Sequence, residues 1–86
     1  MAATIDIAKA QVSLDQDAEA ARVFQFIVRQ QSAAGWMIVK ELGQQPERTE
    51  ESLAKLRNLG LLEGSGDGLD GFYYATSLGY ALHEAL

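Results

Sequence analysis

An α+β domain, with a three-helix core, a β-hairpin and a short C-terminal helix, is what this sequence predicts, and three observations carry the prediction. The stretch Gly35–Leu62 holds two helical patterns joined by a tight turn. Two short apolar runs, Leu61-Leu62 and Phe72-Tyr73-Tyr74-Ala75, then flank the glycine-rich segment Glu63–Gly71. A long amphipathic pattern precedes both, with Ala20, Val23, Phe24, Ile27 and Val28 on one stripe.

In chain order, residues 1–14 are expected to be a strand or a flexible arm set apart from the domain over residues 15–86. Ile5 and Ile7 alternate with Thr4 and Asp6, and Ala8, Ala10 and Val12 continue the period of two opposite Lys9, Gln11 and Ser13. Such a strand would pair at the edge of the hairpin. The Ala-Lys-Ala-Gln run equally suits a helix, and an arm could order only against a partner.

Asp15–Ala34 is expected as the first long helix. Asp15 or Asp17 caps it, and Asp17 with Glu19 sets negative charge at the positive end of the helix dipole. Arg22, Gln25, Arg29 and Gln30 face water, while Phe26 lies off the stripe as a core flank or an exposed contact. Gly35 is expected to end this helix through a left-handed conformation.

In the next helix Ile38, Val39 and Leu42 form the apolar face. Gly43 then releases the chain, and Pro46 opens the following helix where the missing N–H costs nothing. Thr49, Leu53 and Leu56 mark its inward stripe, Leu59 recurs three residues on, and Asn58 and Gly60 stop it. This is a helix-turn-helix with a strand attached. The two apolar runs around EGSGDGLDG make a hairpin, and Thr76 or Ser77 caps a last helix over Leu78–Leu86.

These residues resemble winged helix-turn-helix regulators of the MarR and PadR kind. The resemblance rests on Leu53-x-x-Leu56-x-x-Leu59-Gly60-Leu61 and on Tyr74-Ala75-Thr76-Ser77-Leu78-Gly79, and it covers about the last two-thirds of the chain. It implies a winged-helix fold and a DNA-binding second helix. Gln45, Arg48, Ser52 and Lys55 would then be the DNA-binding residues, with the hairpin as a wing on the neighbouring phosphates.

Charge argues for a different use. Lys40, Arg48, Lys55 and Arg57 are balanced by Glu41, Glu47, Glu50 and Glu51 within residues 35–60. Residues 61–86 hold Glu63, Asp67, Asp70 and Glu84 and no lysine or arginine, and the whole chain carries −5. DNA presents about one charge per 1.7 Å of axis, so a phosphate-binding wing should be basic. This one is acidic, and the expected function is a non-catalytic protein-interaction module, an adaptor or assembly component with a degenerate DNA-binding surface. The alternative is a small DNA-binding transcriptional regulator. Leu69, Phe72, Tyr73 and Trp36 are the expected partner-binding residues. Leu69 lies in a polar loop as an exposed contact or tucked over its own hairpin, and one of Tyr73 and Tyr74 must face outward. Trp36 packs on the first helix or anchors an interface, and Met37 beside it raises the same choice.

The remaining chemistry points away from an enzyme. His83 is the single histidine and there is no cysteine, so no metal site, cofactor or nucleophile–base pair is expected. The repeated Gly-x-Gly lacks the Lys-Ser/Thr and helix of a phosphate loop, and Asp67 and Asp70 lack the spacing of a calcium loop. At 86 residues one small core is expected. With neither a membrane-length apolar run nor a secretory leader in the sequence, the expectation is a soluble cytoplasmic protein. Its partner would be another protein or a second copy, with nucleic acid disfavoured by charge and no membrane contact.

Overall fold

A computed structural model describes residues 2–85 along the backbone and residues 8–85 in their side chains. It is a small α+β domain. The elements run α1 (Ala2–Asp15), α2 (Ala18–Gln30), β1 (Ser32–Ala34), α3 (Gly35–Leu42), α4 (Pro46–Asn58), β2 (Leu62–Ser65), a 3-10 turn (Gly68–Asp70), β3 (Phe72–Ala75) and α5 (Ser77–Ala85). The sheet is antiparallel with order β1-β3-β2, so β3 is its central strand.

The strand expected at the start of the chain is a helix instead. Ala10 and Leu14, four residues apart, are both buried, and α1 packs on α5 and α2. Alanine-rich segments favour helix, and this spacing suits a helical face as well as a strand, so the docking site decides. Met1 and Leu86, at the ends of the expected first strand and last helix, lie outside the described residues, as do the Ile5 and Ile7 side chains.

α2 forms where its stripe predicts, and Ala20, Val23, Phe24, Ile27 and Val28 are buried, with Phe26 packed at the flank. Asp17 is the cap, its carboxylate accepting the Ala20 N–H at 3.0 Å. The helix ends earlier than expected. Gln31, not Gly35, takes the left-handed backbone at φ 72°, and its N–H donates to the Val28 carbonyl. The freed residues 32–34 become β1, pairing Ser32 with Tyr74 and Ala34 with Phe72. Gly35 opens α3 instead. A Cβ there would lie 2.5 Å from the Leu69 Cα, so the close approach of α3 to the 3-10 turn requires glycine.

Gly43 turns the chain out of α3 at φ 65°, and Pro46 begins α4 as expected. Thr49, Leu53 and Leu56 are buried against α2 and α3, the principal packing partners of α4 besides the hairpin side. The end of α4 is a Schellman motif. Gly60 donates to the Arg57 carbonyl and Leu61 to the Leu56 carbonyl, both at 3.0 Å, and the Leu56 and Leu61 side chains meet in the core. Thr76 Oγ1 accepts the Gly79 N–H at 3.0 Å and so caps α5.

Candidate functional site

Two surfaces follow from these elements: the outward face of α4 and the outward face of the sheet.

On α4, the inward stripe takes Thr49, Ser52, Leu53 and Leu56, leaving Glu47, Arg48, Glu50, Glu51, Ala54 and Arg57 to solvent. Ser52, expected on the outer face, is only 4% exposed. It sits one residue before Leu53, and the inward stripe is wide enough to include it. Gln45 is exposed at the N-cap, where its side chain makes no capping bond. Each cation of α4 has an internal partner. Arg48 donates to Glu19 at 3.1 Å and Lys55 to Asp17 at 3.1 Å. Arg57 lies 3.7 Å from Asp67 and donates to the Gly66 and Gly64 carbonyls. Such surface pairs add only about 0–1 kcal/mol each to stability. Their consequence is for binding, because a phosphate would have to replace a carboxylate already in place. Lys40 on α3 is exposed and has no carboxylate partner among the described residues.

The Asp17 carboxyl is held below its ordinary range, chiefly by the Ala20 N–H, with Lys55 adding to the effect against partial burial. Asp17 is the N-cap of α2 and Glu19 lies in its first turn, and the sequence assigned them to capping and to the helix dipole. Their pairing with α4 spans 29 and 38 residues and has no local signature.

The hairpin corrects two of the expected contact residues. Leu69 is 7% exposed, folded beneath the 3-10 turn against α3 and α4. Tyr73 is 2% exposed, and its hydroxyl donates to the Gly68 carbonyl at 2.8 Å; burial pushes its pKa up. The strand parity therefore runs Tyr73 and Ala75 inward, Phe72 and Tyr74 outward. Both settings put an aromatic on each face, which is why alternation alone left the direction open.

Phe72 and Tyr74 are 43% and 47% exposed on the central strand. Cross-strand partners share a face, so Ala34 and Ser65 flank Phe72, while Ser32 and Glu63 flank Tyr74. Trp36 follows β1 at the Phe72 end of the ladder. It is 53% exposed, and its indole Nε1 donates to the Asp70 carboxylate at 3.1 Å. Met37 is also exposed next to it. Of the four expected contact residues, the structure exposes Trp36 and Phe72 and buries Leu69 and Tyr73. Tyr74 is exposed on the same strand face as Phe72 with Glu63 opposite it, and Asp70 is exposed beside Trp36.

A cleft of about 370 Å³ lies between α4 and the hairpin loop, with Glu50, Arg57, Asp67 and Tyr73 in its wall. Arg57 and Asp67 are already paired across it. His83 stands apart on α5, its ring 6.5 Å from that of Phe24 in an edge-to-face arrangement. Among the described residues no group of three or more histidine and carboxylate side chains is placed to hold a metal ion. No described helix is long and apolar enough to cross a membrane. No protein-family model matches the chain, and neither the curated proteins nor the solved structures contain a match to it.

Proposed function

We propose that this chain is a non-catalytic winged-helix module that works through protein–protein contact, as an adaptor or assembly component whose DNA-binding surface is degenerate. The order α2, β1, α3, α4, β2, β3, with β3 central in the sheet, supports the winged-helix assignment. The state of α4 carries the functional reading. Glu47, Glu50 and Glu51 occupy its solvent face, and Arg48, Lys55 and Arg57 are each held by a carboxylate. Duplex affinity comes largely from cations that release counterions at phosphates. A helix whose cations are internally neutralised gains little from that exchange.

A small DNA-binding transcriptional regulator is the second reading. It is favoured by Gln45 and Arg48, both exposed near the start of α4, the end that meets base edges in helix-turn-helix complexes. Gel retardation with random duplex fragments at low and at physiological salt separates the two. The expected outcome is no retardation at either salt. Retardation at low salt that falls steeply as salt rises would overturn the adaptor reading in favour of the regulator.

A further inference from the structure

We infer that the outward face of the sheet, from Trp36 through Phe72 to Tyr74, docks a basic, apolar segment of a partner protein. The inference rests on the adaptor reading and adds the place and the chemistry of the contact. Phe72 and Tyr74 share the outward face of β3, Trp36 follows β1 at the Phe72 end of the ladder, and all three are between 43% and 53% exposed. Phe72 and Tyr74 are two residues apart on one strand, about 7 Å in an extended backbone. The Trp36 indole is tied by its hydrogen bond to Asp70, two residues before Phe72. Aromatic residues of this kind lose little conformational freedom on binding and are enriched in contact hot spots.

The charges around these aromatics select the occupant. Glu63 lies directly opposite Tyr74, and Asp70 beside Trp36. Neither carboxylate has a lysine or arginine partner among the described residues. Arg57 lines one cleft with Glu63 and Tyr74, but its guanidinium is engaged by Asp67 and by the Gly64 and Gly66 carbonyls. A partner side chain bearing an ammonium or guanidinium group meets a carboxylate with an aromatic neighbour at Glu63–Tyr74 and again at Asp70–Trp36. A second copy of this chain fits worse. Face-to-face stacking would oppose Glu63 and Asp70 to their own equivalents, in a molecule of net charge −5. Duplex DNA is repelled by the same carboxylates.

Trp36 is the single tryptophan, so its emission reports directly on this face. Peptides selected from a random display library on the immobilised chain are titrated against the free chain, with Trp36 emission as the readout. The selected peptides are expected to interleave lysine or arginine with apolar residues and to shift the emission to the blue as the indole loses water. The Glu63→Gln/Asp70→Asn double variant, isosteric and exposed, is expected to weaken their binding by about tenfold, with greater loss at low salt. Tyr74→Ser is expected to weaken it comparably, while the denaturation midpoint of both variants stays at the parent value. Selection of peptides without cations, an emission that does not move, or an empty selection overturns the inference. A blue shift on raising the concentration of the chain alone overturns it in favour of self-association. Failure of the adaptor reading itself looks different: duplex DNA is retarded in a salt-dependent way, whether or not peptides reach this face.

Discussion

Leu69 illustrates how a single residue takes its role from what lies beneath it. Its loop, Ser-Gly-Asp-Gly-Leu-Asp-Gly, offers no local apolar neighbour, yet the side chain is 7% exposed because the 3-10 turn folds it onto α3 and α4. Leu69→Asp therefore puts a carboxylate into an apolar interior and is expected to lower stability by about 2 kcal/mol or more. Urea denaturation checks this; a midpoint equal to that of the parent would mean that Leu69 is a surface residue. Gly35 depends on the same approach. With the Leu69 backbone 2.5 Å from the place a Cβ would occupy, Gly35→Ala is expected to cost about 1–3 kcal/mol as overpacking, read in the same titration. The backbone, unlike the end of a flexible side chain, cannot move aside cheaply.

At the scale of elements, the helices are legible where their determinants lie within a turn or two. Asp17 and Thr76 as caps, Gly43 and Pro46 around the α3–α4 turn, and Gly60 after α4 each act through backbone groups a few residues away. The sequence singles out Gly43, Pro46 and Gly60, and offers Asp17 and Thr76 each as one of two cap candidates. The elements it misses, α1 and β1, owe their state to distant partners: α5 and α2 for the first, β3 for the second. β1 has only three residues, and a segment that short has no stability without its ladder. Asp17 shows an element end that serves two structures at once, capping α2 and holding Lys55 on α4. Asp17→Ala is expected to cost about 0.5–2 kcal/mol at neutral pH from loss of the cap. Because the folded carboxyl titrates below its ordinary 3.8, its contribution is present above that value and is lost as pH falls through the depressed folded pKa. The difference between variant and parent in thermal midpoint should accordingly shrink in acid. A difference that stays constant with pH would assign the effect to packing instead.

For the whole molecule the governing quantity is the distribution of charge over the two candidate surfaces. The −5 total is concentrated on the hairpin side, and α4 carries its carboxylates outward. If that acidity is what bars DNA, replacing Glu47, Glu50 and Glu51 together by lysine should create duplex binding at low salt that disappears steeply as salt rises. Gel retardation of this triple variant tests the electrostatic explanation, separately from the parent's own behaviour. No binding by the variant would mean that the shape of the surface, and not its charge, excludes the duplex.

The sequence by itself determined the helical stripe of α2, the turn between α3 and α4, the hairpin and the acidity of its loop. Each of these is written in neighbouring residues, through side-chain period, backbone conformational preference or composition. Only the tertiary structure decided that Leu69 and Tyr73 point inward while Phe72 and Tyr74 point outward. It also decided that Arg48 and Lys55 meet Glu19 and Asp17 across 29 and 38 residues. Strand parity is set by which face meets the core, and ion pairing by which helices are neighbours. Both are properties of the packed chain, invisible along the line of residues.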